Sequence, residues 1–332
     1  MRSKKASVGW ALILGVLVIA GRFAAAQMPS PALLVVNKEG NLAIVDPKSG
    51  KVMGRVPTGD GPHEVAVSDD GRLAFVSNYG AKTPGSSISV IDIVEQKEIR
   101  RIEIGALSQP HGVTFAGGKL YFTAQGFKMI GRYDPVADKI DWMMGTGQNR
   151  THMVILTKDL NQIFTSNIGS NTVTAMERSF DPPDWNETVI PVGKGPEGID
   201  LSPDGKEVWT AHGADGGVSI IDVATGKVKE TLDLHTKRSN RLVFTPDGKM
   251  VLVSDLGTGE LVVLDAPSRK EIKRIKLGAG CAGTLVAPDG SRAYVAVTPD
   301  NNVAVIDLKK WEVVARLSTG VSPDGMAWAE RK

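Results

Sequence analysis

Short apolar segments alternate with turn-forming residues along almost the whole chain. In one representative stretch, hydrophobic and polar residues alternate in the segment GIDLS (198–202), and the sequences Ser-Pro-Asp-Gly (202–205) and Val-Ala-Thr-Gly (223–226) separate neighbouring apolar segments. A period of two residues is typical of β-strands, and these separators are typical of hairpin turns. The stretch therefore predicts four strands, which are GIDLS (198–202), EVWTAH (207–212), GVSIID (217–222) and VKETLDL (228–234).

The same order of segments recurs along the chain, each time introduced by a three-residue phrase. The third residues of successive phrases lie 41 to 48 residues apart. A repeat of this length with four strands is typical of radially arranged sheets, or blades. We therefore predict an all-β fold, a seven-bladed β-propeller of four-stranded antiparallel blades. The phrases are Gly61-Pro62-His63, Gln109-Pro110-His111, Arg150-Thr151-His152, Gly195-Pro196-Glu197, Arg238-Ser239-Asn240, Gly280-Cys281-Ala282 and Ser322-Pro323-Asp324.

The two ends of the repeat array are incomplete. Residues 32–59 supply three strands before the first phrase, and residues 325–330 supply one strand after the last. We predict that these four strands together form the seventh blade. Such closure would protect the sheet edges that an open array would expose.

The first 26 residues have a different composition from the repeats. A basic start precedes 14 uncharged residues from Val8 to Gly21, and Ala24-Ala25-Ala26 follows. This order is typical of a secretory signal. We expect residues 1–26 to be removed, leaving residues 27–332 as a single propeller domain in the periplasm or outside the cell. The apolar run is short for a membrane span, and an uncleaved anchor is the alternative.

The charge balance argues against polyanionic partners. The chain has 39 basic and 37 acidic residues, and loss of Arg2, Lys4, Lys5 and Arg22 with the signal leaves 35 basic residues. Nucleic acid and anionic membranes are therefore not expected as partners. The single Cys281 cannot form an internal disulfide. We expect a monomer that binds a small molecule, or a protein or other envelope component.

One position of the repeat is rich in potential ligand-binding side chains. The third residue of each phrase should open the innermost strand, so that equivalent residues form a ring at the channel mouth. Three of the five histidines of the chain occupy this ring, on consecutive blades, and a glutamate follows on the next. Imidazoles with a carboxylate are suitable ligands for zinc, copper or iron, so we expect a divalent metal. A structural polar lining of the channel is the alternative. The expected metal ligands are His63, His111, His152 and Glu197.

A second set of polar residues should surround this ring. The ends of the second strands lie on the same face of the propeller and could bind ligand or orient the histidines. Arg241 could bind an anionic ligand, and a salt bridge at the rim is the alternative. His212 is a candidate for proton transfer beside Glu197. The remaining ligand-binding candidates are Asn78, Gln125, Asn167, Asp255, and the ring residues Asn240 and Asp324.

Aspartates recur at the ends of the third strands, before a turn. This position favours capping of the turn backbone over a catalytic role. The aspartates are Asp46, Asp92, Asp134, Asp222, Asp265 and Asp307.

Four segments carry a family resemblance: LAFVSNYG, QIFTSNIG, EVWTAHGA and MVLVSDLG, each followed by a V-I-D-like strand and a turn. They resemble the YVTN repeat, and the resemblance covers residues 32–330. It implies a β-propeller and is compatible with surface-layer components, lactonases and binding modules, so function has to be argued from the site. In lactonases of the gluconolactonase type, Glu, Asn and Asp hold the metal at the channel mouth, whereas this chain offers histidines there.

Two functions are therefore expected. The first is a metal-dependent hydrolase for an ester or lactone, in which the metal lowers the pKa of water and Glu197 is a fourth ligand or the general base. A redox metal would fit the same ligands. The second is a non-catalytic module that recognises a protein or envelope partner.

Overall fold

The computed structural model describes residues 28–332 apart from residue 182, so the expected signal at residues 1–26 lies outside the described residues. Over this part of the chain, 28 strands form seven four-stranded antiparallel sheets. The predicted seven-bladed β-propeller is confirmed.

Strand bounds follow the repeat closely. The chain begins with β1 (Ala32–Asn37), β2 (Asn41–Val45) and β3 (Val52–Pro57). Blade 1 holds β4 (Pro62–Val67), β5 (Leu73–Asn78), β6 (Ser87–Asp92) and β7 (Lys97–Glu103). Blade 2 holds β8 (Pro110–Ala116), β9 (Lys119–Ala124), β10 (Met129–Asp134) and β11 (Lys139–Gly145). Blade 3 holds β12 (Thr151–Leu156), β13 (Gln162–Asn167), β14 (Thr172–Phe180) and β15 (Pro183–Pro191).

The second half of the ring repeats the same arrangement. Blade 4 holds β16 (Pro196–Leu201), β17 (Glu207–His212), β18 (Gly217–Asp222) and β19 (Lys227–Asp233). Blade 5 holds β20 (Ser239–Phe244), β21 (Met250–Asp255), β22 (Glu260–Asp265) and β23 (Lys270–Lys276). Blade 6 holds β24 (Thr284–Val286), β25 (Arg292–Val297), β26 (Asn302–Asp307) and β27 (Glu312–Leu317). The last strand is β28 (Pro323–Ala329).

Blade 7 joins the two ends of the chain. Its strand order is β28-β1-β2-β3, with β28 antiparallel to β1 and Leu33 opposite Trp328. The C-terminal strand is therefore the innermost strand of this blade, and the predicted closure is observed.

Large side chains pack between the faces of adjacent blades. Phe75 of blade 1 stacks on Phe115 of blade 2 with 5.3 Å between ring centroids. Trp209 of blade 4 meets Phe244 of blade 5 edge to face at 5.4 Å. Full burial of such a side chain stabilises the fold by about 1.5–3 kcal/mol, so the core is distributed around the ring rather than concentrated at one point.

The aspartates that end the third strands cap the following turns, as predicted. Asp92 Oδ1 accepts hydrogen bonds from the backbone N–H groups of Val94 and Glu95, both at 2.9 Å. Asp307 Oδ1 does the same for Lys309 and Lys310. These carboxylates face the opposite end of the propeller from the ring residues, because they end alternate strands.

Helical structure within the described residues is limited to two short 3-10 segments, Gln125–Phe127 and Thr298–Asp300. None of the helices in this part of the chain is long and apolar enough to cross a lipid bilayer.

Candidate functional site

A β-bulge in the innermost strand directs the ring residues into the channel. In blade 1, Pro62 pairs with Asn78 and Val65 pairs with Val76. Between these two pairs, β4 advances by three residues while β5 advances by only two. The two intervening residues leave the regular ladder, which is how bulges turn side chains toward functional sites. Register shifts at the equivalent place occur in blades 2 to 5.

Hydroxyl groups on the second strands hold these bulges in place. Ser77 Oγ accepts a hydrogen bond from the Glu64 N–H at 3.1 Å and donates to the His111 carbonyl of the next blade at 2.8 Å. Thr123 bridges the Gly112 N–H and the His152 carbonyl in the same way. Each bridge fixes a ring residue relative to its neighbouring blade.

All seven predicted ring residues line one cavity of about 210 Å³ at the channel mouth. The repeat position therefore predicted the spatial convergence correctly. The ring residues are His63, His111, His152, Glu197, Asn240, Ala282 and Asp324.

The three histidines form a continuous arc. The ring centroids of His63 and His111 lie 4.9 Å apart, and those of His111 and His152 lie 3.7 Å apart. Tyr79 closes the outer side of the arc, with its ring 4.8 Å from that of His63.

The protonation of His152 is fixed by its neighbours. Gln125 Nε2 donates to the Tyr79 hydroxyl oxygen at 2.7 Å, so Gln125 Oε1 faces His152 Nδ1 at 2.8 Å as an acceptor. His152 Nδ1 therefore carries the proton, and Nε2 has a free lone pair. Burial, together with the positive charge of Arg241, holds the pKa of His152 well below its usual range. Burial likewise lowers the pKa of His111, so both imidazoles are neutral at pH 7.

Glu197 lies between three polar groups without being hydrogen-bonded to any of them. Its Oε1 is 3.9 Å from His152 Nε2, 3.8 Å from Arg238 Nη2 and 3.9 Å from Arg241 Nη1. These distances exceed hydrogen-bond length. The carboxylate is thus positioned by charge but is free to accept a hydrogen bond from a ligand.

An ion pair crosses the channel beneath the ring. Arg241 of blade 5 donates from Nε and Nη2 to Glu64 Oε1 of blade 1, with an Nε–Oε1 distance of 3.2 Å. Both residues are less than 10% exposed. Burial lowers the pKa of Arg241, but the carboxylates of Glu64, Asp324 and Glu197 outweigh this effect and raise it overall. The guanidinium therefore stays charged, as the floor of the cavity.

A second charge cluster occupies the opposite wall. Lys38 Nζ lies 3.0 Å from Asp324 Oδ2, and His63 Nδ1 lies 3.3 Å from the same oxygen. Burial raises the pKa of Asp324, but Lys38 and His63 outweigh this and hold it well below its usual range. Asp324 is thus a fixed negative charge that orients His63.

Four buried polar atoms around the cavity have no hydrogen-bond partner among the described residues. They are His111 Nδ1, His152 Nε2, Asn240 Oδ1 and Arg241 Nη1. Buried polar groups are nearly always hydrogen-bonded in folded proteins, because leaving one unpaired costs about 1–3 kcal/mol. They converge on one cavity, where a bound molecule could satisfy them.

The donor set fits a metal ion only in part. His111 and His152 are neutral and each has an unpartnered nitrogen, as metal ligation requires. Over the described residues, however, no three His, Cys, Asp or Glu side chains are arranged to hold one ion.

Several predicted residues lie outside the cavity lining, and most of their polar atoms are hydrogen-bonded to neighbouring strands and turns, although His212 Nε2 has no partner among the described residues. Asn78 Oδ1 accepts from the Gly59 N–H, and its Nδ2 donates to Ser87 and Ser89. Asn167 bonds to Thr172 and Thr174. Asp255 accepts from the backbone of Lys237, Arg238, Gly257 and Thr258. His212 Nδ1 lies 3.0 Å from Asp215 Oδ1.

Among the residues predicted to surround the ring, Gln125 lines the cavity, and Arg241 lies at the floor of the cavity rather than in a salt bridge at the rim.

The sequence analysis did not identify three further residues of the site, which are Glu64, Tyr79 and Lys38. Glu64 and Arg241 follow the ring position, where four other units have glycine (Gly112, Gly198, Gly283 and Gly325). A Cβ at Gly112 would lie 2.6 Å from the His152 carbonyl oxygen, so most units need glycine there. The two charged exceptions were a signal that could have identified the ion pair.

No protein-family model matches the chain. Among curated proteins, it is similar to the hydrazine synthase subunit beta of Kuenenia stuttgartiensis, with 25% identity over 152 residues, or 38% of this chain and 39% of that protein. It is also similar to the uncharacterised protein YncE of Salmonella typhi, with 28% identity over 144 residues, or 42% of this chain and 40% of that protein. The matches thus span about two fifths of these relatives.

Solved structures extend the similarity to the whole fold. Hydrazine synthase of Kuenenia stuttgartiensis superposes with a TM-score of 0.73 and 22% identity, covering 87% of this chain and 98% of that one. A periplasmic gluconolactonase of Pseudomonas aeruginosa superposes with a TM-score of 0.73 and 17% identity, covering 92% of this chain and all of the other. At these identities the likeness establishes the fold alone: the chain is a seven-bladed β-propeller.

Proposed function

We propose that the channel mouth is the active site of a hydrolase that opens a small lactone or ester, with Glu197 as the general base. The observation that carries the proposal is the free Glu197 carboxylate, flanked by His152 Nε2 and Arg241 Nη1 at 3.9 Å. Catalytic hydrogen bonds are often long before substrate binds and shorten in the complex.

The proposed reaction uses groups that already line the cavity. Glu197 takes a proton from water, whose oxygen attacks the carbonyl carbon of the substrate. The carbonyl oxygen becomes an oxyanion, to which Arg241 Nη1 donates a hydrogen bond. When the ring C–O bond breaks, the leaving oxygen takes the proton back from Glu197, and the product is a hydroxy acid.

The unpartnered acceptors would recognise hydroxyl groups on the substrate. His152 Nε2 and Asn240 Oδ1 both need a hydrogen donor, whereas Arg241 Nη1 needs an acceptor. A polyhydroxylated lactone supplies both kinds of group. The likeness in fold to a periplasmic gluconolactonase is consistent with this substrate class.

We also propose that the protein acts after export to the periplasm. The basic, apolar and small-residue order of residues 1–26 supports this. Sequencing of the N-terminus from the native envelope should begin at or near Gln27, and recovery of an intact Met1 in the membrane fraction would contradict cleavage.

A divalent metal is a separate hypothesis, supported by the unpartnered nitrogens of His111 and His152. Bound near the substrate carbonyl, such an ion would act as a Lewis acid. Metal content and melting temperature should be measured with added zinc or copper for wild type and for His63→Ala, His111→Ala and His152→Ala. Exposed His235 provides the control, His235→Ala. Stoichiometric metal that is lost in the three variants and kept in the control is the expected result, and a wild type that takes up neither ion contradicts it.

Hydrolysis itself is tested by titrating acid release from a panel of aldonolactones and simple esters. We expect turnover of at least one polyhydroxylated lactone by the purified residues 27–332. No turnover across the panel, with and without added metal, would contradict the hydrolase and favour the non-catalytic recognition module.

A further inference from the structure

A second cavity of about 530 Å³ adjoins the channel mouth above blades 1 to 3. It shares Tyr79, Gln125 and Arg150 with the inner cavity, so a ligand could occupy both. Its remaining lining residues are Gln109, Gly126, Lys128 and Asn149. We call this space the outer groove.

The side chains of the outer groove are two cations, three amides and a phenol, with no carboxylate. The ion pairs of the inner cavity involve Lys38, Arg238 and Arg241, whereas Lys128 and Arg150 form none with the described residues. Tyr79 accepts its hydrogen bond from Gln125, which leaves the phenol proton free for another acceptor. The groove therefore presents hydrogen-bond donors and positive charge.

A larger groove at the opposite end of the propeller differs from the outer groove, because its lining combines basic residues with carboxylates. That groove, of about 1210 Å³ between blades 3, 4 and 5, also contains basic residues. There Lys229 and Arg269 both bind Glu207, at 2.9 and 2.7 Å, and Lys158 donates to the Pro203 carbonyl. Two of its positive charges, those of Lys229 and Arg269, are therefore balanced by a carboxylate within the groove itself.

We propose that the outer groove is an anion subsite, in which Lys128 and Arg150 bind a carboxylate or phosphate group of the ligand. This inference extends the proposed function, because it makes the substrate an acidic molecule whose reacting carbonyl lies in the inner cavity. Guanidinium and ammonium groups bind both kinds of anion through charge-assisted hydrogen bonds, so the chemistry of the groove is shared between them.

Binding is tested without hydrolysis, by titration calorimetry at low ionic strength with inorganic phosphate, gluconate and neutral glucose. The proteins are wild type, Lys128→Met, Arg150→Gln, the double variant and the control Lys139→Met. Lys139 is exposed at the start of the outermost strand of blade 2 and makes no contact with the groove.

We expect wild type and the control to bind phosphate or gluconate equally, and the double variant to bind about tenfold more weakly. Whichever probe binds identifies the anion. Failure of wild type to bind either anion, or unchanged binding by the double variant, would overturn the subsite. Anion binding without lactone turnover would contradict the hydrolase alone, whereas turnover with unchanged anion binding in the double variant would contradict the subsite alone.

Discussion

Arg241 reaches across the central channel to Glu64, a residue 177 positions away in sequence, and their ion pair closes the channel beneath the ring. The pair joins blade 5 to blade 1. It leaves Arg241 Nη1 beneath the cavity, where Glu197 Oε1 is 3.9 Å away. The geometry of the candidate site therefore depends on a contact between distant blades.

Breaking this pair on one side should be strongly destabilising. Glu64→Leu leaves a buried guanidinium without its hydrogen-bonded carboxylate, and Asp324 and Glu197 compensate its charge only from a greater distance, so we expect the free energy of unfolding to fall by about 3 kcal/mol. Adding Arg241→Met removes the uncompensated charge and should recover most of the loss. Urea denaturation of the two single variants and the double variant checks this, and additive losses in the double variant would show that the two residues are not coupled.

Closure of the ring should contribute more stability than an ordinary terminal segment. Deleting residues 325–332 removes most of β28, which pairs with β1 from Ala32 to Asn37. Both the inner face of blade 7 and its contact with blade 1 would be lost. We expect a large fall in melting temperature, and an unchanged value would contradict closure by the C-terminal strand.

The fold was predictable because every repeat unit carries its own short-range sequence signals for strands and turns. Alternating apolar residues, Pro-Asp-Gly turns and capping aspartates such as Asp92 each fix a short segment, and the period fixes how the segments assemble. The strands of blade 4 were predicted to within one or two residues, with β17 and β18 correct at both ends.

The site was only partly predictable, because its contacts depend on side-chain direction and on distant blades. The ring position placed Glu197 and the three histidines correctly at one cavity. It did not distinguish Gln125, which lines the cavity, from Asn78, whose amide is hydrogen-bonded within its own blade. The strand register shows why: Ala124, not Gln125, is the equivalent of Asn78, because Ala124 pairs with Pro110 as Asn78 pairs with Pro62. Gln125 lies one residue further along its unit, so its side chain points in a different direction. The pairing of Glu64 with Arg241 had one sequence signal, two charged residues at a position where four other units have glycine, but the local sequence does not show that these two distant residues meet.

Acid-dependent stability should reveal the unusual carboxyl group of Asp200. Burial raises the pKa of Asp200 to about 6, although its oxygens accept from the N–H groups of Phe244 and Leu201 at 2.8 and 2.9 Å. In the unfolded chain the pKa is near 3.8. Between pH 3.8 and about 6, the folded state binds more protons at Asp200 than the unfolded state does. The group therefore contributes its full stabilisation below pH 4, and this contribution is lost as the pH rises through 6.

The variant Asp200→Asn removes this titration. The difference in unfolding free energy between wild type and variant should change by on the order of 1–2 kcal/mol between pH 4 and pH 7, in favour of wild type at the acidic end. Denaturant titrations across this range provide the measurement. A difference that does not vary with pH would show that Asp200 has an ordinary pKa.

A catalytic role for Glu197 at the channel mouth is tested by the kcat/KM for lactone hydrolysis by Glu197→Gln. The substitution keeps the size of the side chain but removes the base, so we predict a loss of about 10²- to 10⁴-fold with little change in melting temperature. The matched control is Glu95→Gln, at an exposed turn of blade 1, which should hydrolyse lactone at the wild-type rate. Equal kcat/KM values for wild type, Glu197→Gln and Glu95→Gln would show that Glu197 is not the general base.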